Sequence, residues 1–236
     1  MNPEQKIDTT EQLIPHSIGI IMDGNRRWAK GKGMPTLEGH RVGYEKLKDV
    51  LSWGKEFGVT NAIVYVFSTE NWNRTKEEVS YLMDLFRHII AEMIAESLKK
   101  DTRLIFLGQH DRLDDDIVAM MHDAEEKTRH CSSLTLGIAL SYSGRSEIVD
   151  AIHRIPKDKI DTITEEEFSA LLWTHDIPDP DLIIRTSGEE RLSNFLPWQS
   201  AYSELFFVKT LWPDFTREEF KRILDEYAKR QRRFGT

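Results

Sequence analysis

The sequence has almost no cysteine. Cys131 is the only one among 236 residues, so no disulfide can form within the chain, and a reducing, cytoplasmic setting is expected. The eight histidines show neither an HxxxH spacing nor a pairing with cysteine, which argues against a structural zinc site. No stretch is long and apolar enough to cross a membrane, and the first residues lack the pattern of a signal peptide. These absences predict a cytoplasmic protein.

The common phosphate-binding motifs are missing as well. There is no GxxxxGK[ST] loop and no GxGxxG, and Gly31-Lys-Gly33 is too short to replace either. Asp114-Asp-Asp116 lacks the further aspartate of a DDxxD metal motif and is better explained as the acidic start of a helix. The net charge of −8 argues against a nucleic-acid partner. Any cluster of basic residues therefore needs a local explanation.

The composition that remains is typical of a globular protein, with 39% hydrophobic and 31% charged residues. A chain of this length can bury the core of a single domain. The first 14 residues are polar and without periodicity, so we predict a flexible arm over residues 1–14 and one domain over residues 15–236.

Apolar, β-prone runs alternate with helical patterns along the chain. The predicted strands are Ile18–Met22, Ala62–Phe67, Arg103–Leu107, Leu134–Leu140, Leu182–Ile184 and Leu205–Val208. The predicted helices are His40–Phe57, Lys76–Lys99, Arg112–His130, Ser146–Ile155, Glu165–Thr174 and Thr216–Arg232. Several strands are apolar at successive positions, as in strands covered on both faces. The order predicts an α/β fold with a mostly parallel six-stranded sheet flanked by helices.

The predicted helix Lys76–Lys99 has an unusually wide apolar face. Its members recur at helical spacing: Val79, Leu82, Met83, Phe86, Ile89, Ile90, Met93, Ile94 and Leu98. Such a face usually packs in a core. It would also suit a tunnel for a long apolar ligand, and the sequence alone leaves both interpretations open because both need the same residue types.

The most informative stretch is Ser17–Lys30, in which a β-prone run ends at Asp23. Gly24 and Asn25 then open a cationic segment with Arg26 and Arg27. A carboxylate that can reach a metal, followed by helix N–H groups and arginines, is suited to phosphate and Mg²⁺. The alternative is that Asp23 or Asn25 only caps a helix with a solvated basic face.

Polar segments lie at the ends of other predicted strands. Ser68–Arg74 follows the second strand, Arg185–Ser193 follows the fifth, and Glu204 precedes the sixth. Ligands bind outside the carboxyl ends of parallel strands. We therefore expect five charged residues to converge on one crevice: Asp23, Arg27, Arg74, Arg185 and Arg191. A diphosphate with Mg²⁺ would match this charge, although surface arginines also pair weakly with acids and Trp72 taken singly suits a core.

A phosphatase that forms an aspartyl-phosphate is a weaker interpretation of the same segment. Its DxD motif needs a second carboxylate, and this chain has Asn25 at that position. The acid that would protonate the leaving group is therefore absent.

Taken together, these segments resemble the cis-prenyltransferase family, and most closely the bacterial undecaprenyl diphosphate synthases. The resemblance extends from His16 to Gly235. It is carried by MDGNRRWAK at Met22–Lys30, Gly39-His40, FSTENWNR at Phe67–Arg74, IRTSGEERLSNFLPWQSAYSEL at Ile184–Leu205 and LWPDF at Leu211–Phe215.

The resemblance implies an activity and its requirements. A Mg²⁺-dependent enzyme would condense isopentenyl diphosphate repeatedly with an allylic diphosphate, with farnesyl diphosphate as the expected starter. The product would be a Z-polyprenyl diphosphate such as undecaprenyl diphosphate, grown in an apolar tunnel. The family also implies a homodimer, with at most peripheral membrane contact for product release. The alternative within the fold is a non-catalytic subunit of a heteromeric prenyltransferase, which would lack the aspartate and arginine motifs that this chain has.

The resemblance also implies roles for single residues. Asp23 and Asn71 would be catalytic, and Asp23 with Glu204 would bind the metal, Glu204 often across a dimer interface. The allylic diphosphate would be bound by Gly24, Asn25, Arg26 and Arg27, and this substrate site would be bordered by Trp28 and His40. The reacting ends would be positioned by Ser68, Thr69, Glu70, Trp72 and Arg74. Isopentenyl diphosphate would be held by Arg185, Arg191, Leu192 and Ser193. The tail Arg233-Phe-Gly235 would reach a neighbouring subunit's diphosphate; alternatively, it is a cationic helix end.

Two positions depart from the family pattern. Thr36 stands where relatives usually have an arginine that grips the allylic diphosphate, and Arg26, where many have glycine, is expected to compensate. Val66 stands where long-chain synthases commonly have alanine beside the tunnel, which predicts a shorter product unless the residue is only strand packing.

Overall fold

A computed structural model describes residues 14–230. The predicted arm, except for Ile14, and the tail Arg233-Phe-Gly235 lie outside the described residues, so both remain predictions.

The described chain forms six strands and seven α-helices. The strands are β1 Ser17–Ile21, β2 Asn61–Ser68, β3 Thr102–Leu107, β4 Leu134–Tyr142, β5 Leu182–Arg185 and β6 Glu204–Phe207. The helices are α1 Asn25–Gly31, α2 Glu38–Glu56, α3 Lys76–Lys99, α4 Asp115–Thr128, α5 Gly144–Arg154, α6 Glu165–Ser169 and α7 Arg217–Lys229. Two short 3₁₀ helices cover Thr69–Asn73 and Trp212–Asp214.

The strands form one sheet in the order β3-β4-β2-β1-β5-β6, and every neighbouring pair is parallel. The predicted α/β fold is thus confirmed. Both faces of the sheet are covered, and all five residues of β1 are buried. Ile18 and Ile20 pack toward the core under α2 and α3, whereas Ile21 packs toward a smaller core on the other face.

Five of the six predicted helices have different bounds, and two of these differences have a visible cause. The helix predicted to continue to Thr174 ends at Ser169, because Trp173 and Thr174 bond to α5 instead: the Trp173 Nε1–H donates to Asp150 and the Thr174 N–H to Glu147. The helix predicted from Arg112 begins at Asp115, since Asp114 takes an extended conformation at its N-cap.

Sheet register brings distant segments to one edge. Ile21, the last residue of β1, pairs with Tyr65 of β2 on one side and Arg185 of β5 on the other. Residues that follow these positions therefore meet at the carboxyl edge of the sheet. None of the helices in residues 14–230 is both long and apolar enough to cross a membrane.

Candidate active site

Asp23 lies just beyond β1, at the carboxyl edge of the sheet. Its carbonyl oxygen accepts hydrogen bonds from the Thr186 hydroxyl at 2.7 Å and the Trp212 N–H at 3.1 Å, so its backbone is fixed. Its carboxylate lies between two arginines. Oδ2 is 2.9 Å from Nη2 of Arg185, and Oδ1 is 3.4 Å from Nη2 of Arg27.

Arg185, the last residue of β5, is only 4% exposed. Its guanidinium donates to Asp23, to the Ser193 hydroxyl at 2.7 Å and to the carbonyl of Arg191. A buried charge is stable only when it is paired and hydrogen-bonded. This bonding fixes the guanidinium at the edge of the sheet.

The two arginines determine the charge state of Asp23. Burial alone would raise the pKa of its carboxyl group, but the hydrogen bond and charge of Arg185 lower it. The Ser187 hydroxyl and the charge of Arg27 act in the same direction, so the pKa of Asp23 lies below its ordinary value. Asp23 is therefore ionised at neutral pH.

The start of α1 depends on glycines. Gly24 has φ +108°, in the left-handed region, and a Cβ there would lie 2.9 Å from Leu211. On α2, a Cβ at Gly39 would lie 2.1 Å from the Asn25 carbonyl oxygen, and one at Gly43 would lie 2.4 Å from Asn25 Oδ1. The two glycines let α2 approach the start of α1 closely. Sequence reasoning did not assign them a role, although glycines at i and i+4 of a helix are a detectable signal.

Two further residues that sequence reasoning missed hold the arginines. Arg27 donates to the Ser187 hydroxyl at 2.5 Å and to the Ser187 carbonyl at 3.3 Å. Glu78, in the first turn of α3, lies 2.9 Å from Arg74 and 3.4 Å from Arg26. The i,i+4 spacing of Arg74 and Glu78 was a signal for that pair, whereas nothing in the sequence pointed to Ser187 as the partner of Arg27.

His40 is surrounded by positive charge. Burial lowers its pKa, and the charges of Arg74 and Arg26 lower it further, to about 4. His40 is therefore neutral at pH 7, and a group with this pKa is a weak proton acceptor there.

The 3₁₀ helix Thr69–Asn73 is fixed by a capping box. Asn71 Oδ1 accepts the Ser68 N–H at 3.1 Å, and the Ser68 hydroxyl accepts from the backbone of Asn71. Ser68 and Asn71 both line the cavity described next, whereas Thr69 and Glu70 are not among its lining residues.

A cavity of about 940 Å³ opens at this edge of the sheet and continues between the sheet and α3. Its polar end is lined by Asp23, Arg26, Arg27, Arg74, Arg185 and Ser193. Its apolar wall is formed by α3 residues Leu82, Phe86, Ile89 and Met93 together with strand residues Val66 and Ile138. The structure thus brings Asp23, Arg27, Arg74 and Arg185 together, as the strand-end argument predicts.

Besides Thr69, Glu70 and Glu204, four further predicted site residues do not line this cavity. Arg191 points its exposed side chain at Glu189, and only its carbonyl contacts Arg185. Trp28 donates to Asp214 at 2.8 Å, and Leu192 packs toward the core on the other face of the sheet. The Trp72 indole is bonded to Ser141 and packs against the main core.

Glu204 lies at the amino ends of the strands, opposite the carboxyl edge where Asp23 lies. Glu204 pairs in register with Leu182, and Leu182 pairs with Ile18. Because Asp23 follows Ile18 by five residues, the two carboxylates are separated by about 16 Å along the strand direction, at about 3.3 Å per residue. The Glu204 carboxylate bonds to Arg230 instead. Within residues 14–230, no three His, Cys, Asp or Glu side chains are grouped to hold a metal ion. The Glu204 of the same chain therefore does not share a site with Asp23.

Comparison with known proteins agrees with this architecture. Residues 21–235 match the family model "Putative undecaprenyl diphosphate synthase". An isoprenyl transferase of Thermotoga maritima is 49% identical, over 94% of this chain and 97% of that protein. A Micrococcus luteus ditrans,polycis-undecaprenyl-diphosphate synthase, farnesyl-diphosphate specific, is 44% identical over 94% and 92%.

The fold is also similar to that of a solved relative. The crystal structure of lavandulyl diphosphate synthase from Lavandula x intermedia, in complex with dimethylallyl diphosphate, matches with a TM-score of 0.89 and 32% identity, covering 94% of this chain and 99% of that one. The chain belongs to the undecaprenyl diphosphate synthase family of prenyltransferases.

Proposed function

We propose that this chain is an active cis-prenyltransferase that adds isopentenyl diphosphate repeatedly to an allylic diphosphate, with farnesyl diphosphate as starter. The product would be a Z-polyprenyl diphosphate such as undecaprenyl diphosphate. One observation carries the proposal: Asp23 is fixed between Arg185 and Arg27 at the polar end of a cavity whose other wall is apolar. A prenyl diphosphate has the same division between a polyanionic head and a hydrocarbon chain.

The polar end is suited to two diphosphate groups. Four arginines line it, and the acidic side chains that pair with them are Asp23, Glu78 and Glu189. Arginine binds phosphate oxygens in a planar, often bidentate manner. In the proposed assignment, Arg26 and Arg27 bind the allylic diphosphate, and Arg185 and Ser193 bind isopentenyl diphosphate. Arg191 would have to turn from Glu189 to take part.

Mg²⁺ fits this site as an ion shared with substrate. Mg²⁺ is commonly held by one or two carboxylates together with phosphate oxygens, so an incomplete protein cage suffices. Asp23 is ionised, and the contact of its Oδ1 with Arg27 is long, at 3.4 Å. When bound, the ion would neutralise charge that develops on the departing diphosphate. A homodimer would bring the partner's Glu204 toward Asp23, since the distance within one chain is too large.

Departure of the allylic diphosphate leaves a cation-like carbon that must meet the isopentenyl double bond before water does. Arginines fixed in advance stabilise the negative charge on the leaving group without reorganising. The apolar wall excludes water and accepts the growing hydrocarbon. In this proposal the wall is a product tunnel, from which the chain leaves with at most peripheral membrane contact.

A proton must finally leave the new chain. His40 and Asn71 are both poor acceptors, because the pKa of His40 is about 4 and Asn71 carries a neutral amide. We propose that a diphosphate oxygen takes the proton while Asn71 orients the reacting ends. The replacement Asn71→Asp should keep substrate binding and leave the shape of the pH–rate profile unchanged. A profile that gains a new carboxyl limb would contradict this role.

The test of the proposed function is direct. Purified protein is incubated with Mg²⁺, farnesyl diphosphate and labelled isopentenyl diphosphate, and the lipid products are separated by chromatography. A series of labelled polyprenyl products supports the proposal, and their length gives the product. Absence of products with the chain alone, but activity after a second subunit is added, would favour the non-catalytic subunit.

A further inference from the structure

The carboxyl ends of β2 and β4 contain two offset β-bulges. Tyr65 pairs with Ala139 and Phe67 pairs with Leu140, so Val66 has no partner on β4. Ser68 then pairs with Tyr142, so Ser141 has no partner on β2. Each strand has one extra residue, and the register is restored after both. Bulges of this kind redirect a side chain and occur often beside active sites.

The bulge at Ser141 interrupts the alternation of side chains along β4. Along β4, Leu140 packs on the α3 side of the sheet and Tyr142 packs on the other side. In a regular strand, two residues at this spacing would face the same side. Ser141 has φ +53°, in the left-handed region that costs most residues energy. Its side chain is fully buried. A strained, buried polar residue of this kind needs a compensating interaction.

That interaction is a hydrogen bond to Trp72. The indole Nε1–H donates to the Ser141 hydroxyl at 3.0 Å. The Trp72 ring also contacts Phe67 edge to face, with centroids 5.0 Å apart, and carries the Arg112 guanidinium 4.8 Å from its centroid. Trp72 lies in the 3₁₀ helix Thr69–Asn73, one residue after Asn71. The Trp72 side chain therefore connects the bulge at Ser141 with the segment that carries Asn71.

We propose that Ser141 is a positioning residue for the reaction, which holds Asn71 and the 3₁₀ helix Thr69–Asn73 in place through Trp72. This inference rests on the proposed prenyl transfer. Ser141 does not contact the cavity itself, since it is not among the lining residues. Its effect should therefore appear in kcat more than in KM, because misplacement of a reacting group slows the chemical step while the arginines still bind both diphosphates.

Three replacements separate the hydrogen bond from the backbone conformation. Ser141→Ala removes the acceptor and keeps the strain. Ser141→Gly removes the acceptor and relieves the strain, and Ser141→Asn supplies an acceptor oxygen on a residue type that tolerates this conformation. We expect kcat to fall about tenfold in the Ala and Gly variants and to stay within about threefold of the original in the Asn variant. Thermal stability should follow a different order, with Gly at least as stable as Ala.

A double-mutant cycle provides a second test that does not depend on how asparagine fits. Trp72→Phe removes the donor, so Ser141→Ala should lower kcat much less in that background than alone. Ser17→Ala is the matched control, because Ser17 is also buried, bonds to the Pro178 carbonyl at 2.9 Å and lies at the opposite edge of the sheet. It should lower stability without changing kcat.

The outcomes distinguish the two proposals. If the unmodified protein makes no product, the proposed function fails, and the role of Ser141 fails with it. If it is active but kcat in the Ser141 variants follows their thermal stability, or the effects of Ser141→Ala and Trp72→Phe simply add, the positioning role is wrong. Retention of full kcat in Ser141→Gly would also overturn it.

Discussion

The polar end and the apolar wall of the cavity are built in different ways. Asp23 and Arg185 are 162 positions apart in the chain and meet in a specific ion pair at 2.9 Å. Around them, Ser187 and Ser193 have left-handed backbone conformations. The apolar wall consists of helix and strand that is irregular only at the Val66 bulge, with side chains such as Phe86 and Ile138 in ordinary packing.

This difference predicts different sensitivities. Ion pairs and hydrogen bonds are directional, so a single lost atom at the polar end leaves a buried partner unsatisfied. Hydrophobic contact is not directional, and a wall of this kind tolerates replacements that keep the volume. Substitutions at the polar end should therefore change rates strongly, whereas those in the apolar wall should mainly change product length.

The largest effect is expected for Asp23→Asn, which keeps the shape of the side chain and removes its charge. Arg185 would then be buried without a counter-charge, and no ionised carboxylate would assist the leaving diphosphate. We expect kcat/KM to fall about 1000-fold. Asp123→Asn, at an exposed ion pair with Lys127 on α4, is the control and should change kcat/KM less than about twofold. Retention of a tenth of the activity by Asp23→Asn would contradict the assignment.

Gly39→Ala tests the contact between α1 and α2. Its Cβ would lie 2.1 Å from the Asn25 carbonyl oxygen, so the backbone must move. The free energy of unfolding should fall by about 2–3 kcal/mol, and KM for the allylic substrate should rise because Arg27 moves with α1. Gly31→Ala, with no atom within 4 Å of its Cβ, should leave the stability unchanged or raise it by up to about 1 kcal/mol. Equal effects in chemical denaturation would contradict the predicted steric cause.

The low pKa of His40 predicts a pH dependence of stability. Because the folded protein disfavours the protonated ring, His40 destabilises the fold as the pH falls from the unfolded pKa of 6.5 through the folded pKa of about 4. The total loss is about 3 kcal/mol. In His40→Gln, the free energy of unfolding should fall less between pH 6.5 and 4, as measured by chemical denaturation at each pH. The contribution of Asp23, whose pKa is also lowered, is lost only below its unfolded value near 3.8.

A bound anion provides a control for this prediction. A diphosphate at the polar end would offset the charges of Arg74 and Arg26, so the pH dependence due to His40 should shrink when inorganic diphosphate is present. If the free energy of unfolding depends on pH just as strongly with saturating diphosphate, burial alone lowers the pKa of His40.

A moderate effect is expected for Thr36→Arg. Thr36 lines the same cavity as Lys30 and Arg26, and a further guanidinium there would add a phosphate contact. KM for the allylic substrate should fall about three- to tenfold, as for one charge-assisted hydrogen bond. Thr162→Arg, at an exposed position outside the cavity lining, is the control for added charge. An unchanged KM would contradict the view that an arginine at position 36 strengthens the grip on the allylic diphosphate.

The smallest effect is expected for Val66→Ala in the apolar wall. Val66 lines the cavity at the β2 bulge, and the smaller side chain would lengthen the space for product. Chromatography should show products shifted to longer chains, at a stability cost of about 1–2 kcal/mol. Val59→Ala, at a buried position outside the cavity lining, should cost similar stability and leave product length unchanged. A shift in both variants would indicate a general loosening.

Some features could be read from local pattern alone. The run that ends at Asp23 is a strand with every residue buried, and continuous apolarity is a reliable sign of a strand covered on both faces. Parallel order then placed Asp23, Arg74 and Arg185 at one edge, because the carboxyl ends of parallel strands coincide. The motif resemblance gave the family, which the comparisons confirm.

Other features depended on contacts that no local pattern encodes. The sequence placed Arg191 with Arg185, but the structure turns its side chain to Glu189. Ser187 accepts a hydrogen bond from Arg27, and Gly43 lets α2 approach Asn25 closely. Both contacts depend on how α1 packs on its neighbours. The paired bulges at Val66 and Ser141 were equally invisible, since one extra residue in each strand leaves the apolar pattern almost unchanged.

By itself, the sequence determined the order of strands and helices, the parallel sheet and the residue types available at its carboxyl edge, because hydrophobic periodicity and motif order are local properties. The tertiary structure decided which of those residues meet: Asp23 with Arg185 inside the cavity, and Glu204 with Arg230 at the far edge. The physical reason is that strand register and helix packing fix positions to within an ångström, and hydrogen bonds and ion pairs form only over such short distances.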